Sequence, residues 1–90
     1  MQNIEEEIRG IIAEILEKQP EDILPEARFF EDLGADSMMA LEILTAIERK
    51  YKITVPESRM TQIATLKDTV ALAKEFIDQK VSEPKAPLQN

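Results

Sequence analysis

The sequence predicts an all-α domain of four helical segments, with one short third helix and a long loop between helices 1 and 2. Three observations predict it. Hydrophobic residues make up 43% of the chain but aromatic ones only 4%, so Ile, Leu, Val, Met and Ala must do the packing, which favours helices. Apolar positions recur at three- and four-residue intervals over three stretches, the signature of amphipathic helices. The one run that alternates like a strand, Ile53-Thr54-Val55, has no partner run and is closed by Pro56, so it reads as an extended connector.

The first helix rests on Ile4, Ile8, Ile11, Ile12, Ile15 and Leu16, which draw one apolar stripe, with Glu7, Arg9, Glu14 and Lys18 on the polar face. Gln19-Pro20 is expected to stop it, because proline disfavours helical geometry in the residue before it. Residues 20–35 form a long connection punctuated by Pro20 and Pro25, with Ile23, Leu24, Phe29, Phe30 and Leu33 as apolar anchors. So long a loop in so small a domain must pack down or have a function. The second helix is expected from about Ser37 to Lys50, ending near Tyr51-Lys52, with Met38, Leu41, Leu44 and Ile47 or Ala46 facing inward. Glu57 to Ile63 reads as a short helical segment entered through Pro56 at a first-turn position, where its missing N–H costs nothing.

Thr65-Leu66-Lys67-Asp68 resembles a capping box in which Asp replaces the favoured Glu. A last helix then carries Leu66, Val70, Ala73, Phe76 and Ile77 on one face. Residues 1–80 thus form one domain. The stretch Ser82-Glu83-Pro84-Lys85-Ala86-Pro87 has two prolines and no periodicity, and residues 81–90 are expected to be a disordered tail.

Composition narrows the function. Ninety residues make one small domain, too short for a cofactor-binding enzyme of the usual kind. The chain has no cysteine and no histidine, which removes disulfides, Cys/His zinc sites, thiol nucleophiles and every Ser-His or Cys-His dyad; no metal site is expected. Any thiol chemistry must arrive on a cofactor. The acidic N-terminus lacks the basic start and apolar stretch of a signal peptide, and no segment approaches the roughly twenty apolar residues of a membrane span. A soluble, cytoplasmic protein is expected. Residues 1–48 hold 13 acids and 3 bases, a formal −10, against 5 acids and 8 bases over 49–90, a formal +3. The first half lacks the basic face that nucleic acid requires, so a basic protein surface is the better partner.

Residues 29–38, Phe29-Phe30-Glu31-Asp32-Leu33-Gly34-Ala35-Asp36-Ser37-Met38, end a polar loop, turn on a glycine and present a serine where a helix begins. Asp36-Ser37 alone reads as an ordinary N-cap. A phosphate ester on Ser37 would nevertheless be well placed, since backbone N–H groups and the positive end of the helix dipole meet there. With its neighbours, from the two phenylalanines to the Val55-Pro56 connector, the run resembles the attachment site of acyl carrier proteins. In that family the serine of an Asp-Ser-Leu motif carries 4′-phosphopantetheine; here Met38 replaces Leu.

The resemblance covers nearly the whole chain except the tail. It implies a small four-helix bundle of acyl-carrier type in which Ser37, with Asp36 beside it, receives 4′-phosphopantetheine from coenzyme A through a phosphopantetheinyl transferase. Acyl groups then ride as thioesters on the cofactor's thiol in fatty-acid, lipid or polyketide biosynthesis. The chain itself is not an enzyme on this reading and has no catalytic residue; acyl-transferring and acyl-processing synthase enzymes act on a carrier that is most simply a monomer. The resemblance also implies a partner surface of Asp36, Met38, Met39, Glu42, Glu48 and Arg49, and an acyl pocket among Phe29, Leu44, Ile47, Met60, Ile63 and Ala73. Met39 stands where many fatty-acid-synthesis members have aspartate, and Arg49, Lys50 and Lys52 put cations where relatives are often acidic, which suggests a specialised variant. The alternatives are a peptidyl or D-alanyl carrier, or an interaction module of the same fold that never carries a prosthetic group.

Overall fold

A computed structural model describes residues 3–82. Their order is α1 (Ile4–Leu16), a 3-10 turn η1 (Pro20–Asp22), α2 (Ser37–Tyr51), a 3-10 helix η2 (Glu57–Gln62) and α3 (Leu66–Ser82). The four helices α1, α2, η2 and α3 make the bundle, and α1 packs against both α2 and α3. Among the described residues the β pairing is one isolated antiparallel bridge between Arg28 and Thr65.

Asn3 opens α1, its side-chain oxygen accepting from the N–H groups of Glu5 at 3.1 Å and Glu6 at 3.3 Å. Glu5, Glu6 and Glu7 add negative charge at the positive end of the dipole. Ile8, Ile12, Ala13 and Leu16 are buried, with Ile4, Ile11 and Ile15 packed partly against the core. The helix stops at Leu16, before the expected Gln19-Pro20 break, so Lys18 lies outside it. Glu17 adopts the left-handed conformation, φ 58°, and the Lys18 N–H donates back to the Ala13 carbonyl at 2.9 Å, closing the last turn. Pro20 opens η1 and does not end α1.

The closure recurs in α2, where Lys52 has φ 57° and the Ile53 N–H donates to the Glu48 carbonyl at 3.1 Å. Its buried face is Ala40, Ile43, Leu44 and Ile47. Leu44 and Ile47 face inward as expected, but Met38 and Leu41 do not: they are exposed, and Ala40 and Ile43 take the inward positions. Each residue advances the helix by about 100°, so reading the stripe one or two residues out of phase turns an inward side chain to the surface.

Ile53 and Val55 are buried in the extended connector. Pro56 precedes η2 as its cap residue and is not its first helical residue. No residue of η2 is fully buried, and the segment is tied to α3 by Arg59, whose guanidinium bonds Glu75 at 2.7 Å and lies 5.4 Å from the centre of the Phe76 ring. At the start of α3 the Thr65 hydroxyl accepts from the Asp68 N–H at 3.1 Å, while the Asp68 carboxylate accepts from the Ala64 N–H at 3.3 Å. The reciprocal cap therefore forms one residue wider than a capping box. Leu66, Thr69, Val70, Leu72 and Ala73 are buried, and Phe76 and Ile77 pack partly. The Thr69 hydroxyl is satisfied by the Thr65 carbonyl at 2.8 Å. α3 reaches Ser82; the rest of the expected tail, residues 83–90, lies outside the described residues.

One apolar cluster joins Ile8, Ile12, Ile23, Phe29, Ile43, Ile47 and Leu66. Burying each such side chain contributes about 1.5–3 kcal/mol. Tyr51 closes one end of the bundle: its hydroxyl donates to Glu7 of α1 at 2.6 Å, and its carbonyl accepts from Lys80 of α3 at 3.3 Å. Burial, reinforced by the bond to Glu7 and its charge, holds the phenol well above the usual tyrosine range.

Candidate functional site

The long loop packs down. Ile23 is fully buried and its carbonyl accepts from Arg9 Nε at 3.0 Å. Leu24-Pro25-Glu26-Ala27 forms a turn closed by the Ala27 N–H on the Leu24 carbonyl at 3.1 Å, with proline at the position whose φ it presets. The Pro25 carbonyl accepts from the Lys67 N–H at 3.0 Å, binding the turn to the start of α3. Phe29 is 1% exposed; its N–H donates to the Ala64 carbonyl at 2.9 Å and its carbonyl accepts from Ala35 at 2.8 Å. Asp32 folds back to accept the Arg28 N–H at 2.8 Å. Gly34, at φ 73°, makes the left-handed step that returns the chain to α2. Ile23 and Phe29 are anchors as expected and Leu33 is half-buried, whereas Leu24 and Phe30 are exposed at 60% and 55%. Successive turns set these directions, at Leu24–Ala27 and again from Arg28 to Leu33, and they leave Ile23 and Phe29 on the inner side.

The loop delivers Ser37 as the first residue of α2, exposed to solvent. The cap is Asp36, whose carboxylate accepts from the Met39 N–H at 2.9 Å while its carbonyl accepts from Ala40 at 3.0 Å. The serine hydroxyl is therefore not required for capping. The Ser37 and Met38 N–H groups sit where a helix offers no internal acceptor, at the positive end of 15 residues of aligned dipoles. These features fit a phosphate ester on the Ser37 oxygen. With no histidine or cysteine in the chain, no Ser-His dyad forms at the serine, and the neighbouring Asp36 carboxylate is engaged by the Met39 N–H.

Met38, Leu41, Glu42, Thr45 and Arg49 are exposed at helical spacing and share one face of α2, with Met38 66% exposed. Met39 turns away from that face and packs partly against the core. Glu48 is half-buried, and its carboxylate accepts from the Val55 N–H at 2.8 Å, holding the connector beyond α2. Of the six expected pocket residues, Phe29, Leu44, Ile47, Ile63 and Ala73 are buried in one cluster and Met60 packs against it. Ala40 and Ile43 belong to the same inward face; their spacing with Leu44 and Ile47 is helical, but the rival stripe through Met38, Leu41 and Leu44 concealed them. The backbone donors and acceptors of Ala64, Lys67 and Pro25 that hold the loop carry no side-chain signal. Among the described residues no group of His, Cys, Asp or Glu could hold a metal ion, and no helix is long and apolar enough to cross a membrane.

A family model described as a phosphopantetheine attachment site matches residues 6–73. The chain is 34% identical over 77 residues to an acyl carrier protein of Thermosynechococcus vestitus, covering 86% of this chain and 90% of that one. It is 38% identical over 66 residues to an acyl carrier protein of Helicobacter hepaticus, covering 73% and 87%. An acyl carrier protein of Wolinella succinogenes is 39% identical over 65 residues, 72% of this chain and 86% of the relative.

Proposed function

The chain belongs to the phosphopantetheine-attachment family of acyl carrier proteins, and from that premise we propose that Ser37 is the residue that bears its prosthetic group. Its function is that of an acyl carrier with a 4′-phosphopantetheine group. When bound, that group supplies a flexible arm whose terminal thiol holds an acyl chain as a thioester. The observation that carries the assignment to Ser37 is its setting: an exposed hydroxyl on the first residue of α2, beside a cap already supplied by Asp36. The pinned loop holds the oxygen in place for an incoming transferase, which must bring the catalytic groups that this chain lacks.

The family implies transferase and synthase partners. We assign their docking to the exposed face of α2, where Met38 and Leu41 offer apolar contact and Glu42 offers negative charge, with Arg49 making the far end electrostatically mixed. Asp36 and Glu48 serve that face indirectly, by fixing the two ends of α2, and Met39 by packing beneath it. The acyl chain is sheltered between the helices among Phe29, Leu44, Ile47, Met60, Ile63 and Ala73, where separation of aliphatic side chains opens room without exposing polar groups. The carrier works as a cytoplasmic monomer in fatty-acid or related lipid or polyketide synthesis. Incubation of the folded chain with coenzyme A and a broad-specificity phosphopantetheinyl transferase, followed by peptide mapping in the mass spectrometer, should place the added mass on Ser37. Modification elsewhere, or none on folded protein, overturns the assignment.

A further inference from the structure

Leu24 is an apolar side chain held out in water by a rigid backbone. Before it, Ile23 is fully buried with its carbonyl bonded to Arg9; after it, Pro25 presets φ and is bonded through its carbonyl to Lys67. The turn is closed across Leu24 itself, from its carbonyl to the Ala27 N–H. Leucine on a loose loop can turn inward, but this one is fixed outward at 60% exposure. It borders a cleft of about 660 Å³ whose apolar lining is Leu24, Pro25, Ala27 and Leu33. Every charged residue that lines this cleft is acidic, Asp22, Glu26 and Asp32, while Arg9 borders a separate cleft that Leu24 shares with Glu6 and Glu21. Among the described residues none of the three is in an ion pair. Asp32 accepts the Arg28 N–H, which leaves its charge in place, and Glu26 also borders a neighbouring cleft with Lys67 and Lys74 without bridging to either.

We propose that this cleft is a docking site for a basic amphipathic segment of a partner protein. One aliphatic or aromatic side chain of the segment covers Leu24 and Leu33, and its lysines or arginines face Asp22, Glu26 and Asp32. Charge complementarity selects the occupant: three carboxylates repel nucleic acid and anionic lipid, and an uncharged segment would leave them desolvated without partners. The turn containing Asp32 and Leu33 leads through Gly34 to Ser37, so a segment seated here lies on the loop that presents the serine. Contact at this cleft together with contact on the α2 face would fix the carrier's orientation on a partner as well as its proximity. Because the tight turn needs no rearrangement, little ordering cost opposes binding.

The test uses the isotopically labelled full chain carrying Ser37→Ala, so that its outcome is independent of prosthetic-group loading. The probe is a synthetic amphipathic peptide with lysines on one helical face and leucines on the other, and the control peptide has serines in place of the leucines. NMR shift changes are expected to centre on residues 24–33. Leu24→Asn should weaken the Lys/Leu peptide about tenfold, the equivalent of one leucine contact, and leave the Lys/Ser peptide nearly unaffected. Glu26→Lys should weaken both, more at low ionic strength than at high. Circular dichroism should show the fold intact, since both side chains are exposed. Shift changes centred on Met38, Leu41 and Glu42, or equal affinity for the Leu24→Asn chain, overturn the proposal. Self-association that Leu24→Asn abolishes also overturns it, assigning the cleft to a second copy.

Discussion

Replacing Ser37 and Asp36 separately by alanine separates chemistry from stability at two adjacent residues. Asp36→Ala removes the acceptor that holds the Met39 N–H at 2.9 Å, the side-chain cap of a 15-residue helix. Losing such a cap costs about 1 kcal/mol, and in a domain of this size each kcal/mol lowers Tm by about 4–8 °C. Ser37→Ala occurs at the first helical residue, where the side chain is exposed and alanine is the better helix former. Its stability should stay within about 0.5 kcal/mol of the parent. Loading should reverse the order: the Ser37→Ala chain gains no phosphopantetheine at any incubation time, while the Asp36→Ala chain is still modified. Thermal unfolding by circular dichroism and intact-mass spectrometry on the same samples read both quantities. If Ser37→Ala destabilises as much as Asp36→Ala, the serine is acting as a cap; if it still gains the group, another hydroxyl is the acceptor.

Glu42→Lys should slow association with the transferase, with the defect fading at high salt, and leave the unfolding midpoint unchanged. Glu48→Lys should instead lower stability by about 1–3 kcal/mol in urea titrations, because the half-buried Val55 N–H loses its acceptor. Phe29→Ala should cost about 3–5 kcal/mol and reduce loading in proportion to the unfolded fraction, with both recovered in Phe29→Leu more than in Phe29→Ser. Tyr51 makes stability fall at alkaline pH: its folded pKa lies above the unfolded value near 10, so the stabilisation is complete below that pH and is lost as pH rises toward the folded value. Tyr51→Phe should flatten that decline in alkaline unfolding curves, and a parent chain with no such decline would contradict the burial of the phenol.

The helices were legible because aliphatic spacing is a direct record of burial, yet the phase of α2 was not. Met38, Leu41 and Leu44 offer one helical stripe and Ala40, Ile43, Leu44 and Ile47 another; only packing against α1 and the loop selects the second. The end of α1 was hidden for a different reason. Left-handed caps are usually marked by glycine or asparagine, and here Glu17 and Lys52 adopt the conformation with neither. In the loop, composition marks Leu24 and Phe30 as apolar but says nothing of the side to which the loop's turns send them. The serine motif was plain in the sequence, whereas the distinction between Glu42 and Glu48 was not, since a carboxylate that folds back onto Val55 has the same spelling as one that faces solvent.

The hydrogen bonds that pin the serine's loop come from far along the chain: Phe29 is held by the carbonyl of Ala64, and Pro25 by the N–H of Lys67. During synthesis, a chain that has not yet reached Ala64 lacks both ties, and one that has not reached Lys67 lacks the second. The platform is completed by the residues that begin the last helix, so a serine placed early in the domain depends for its setting on residues that follow it by about thirty positions. A chain truncated before Ala64 would carry the whole attachment motif and still present it poorly.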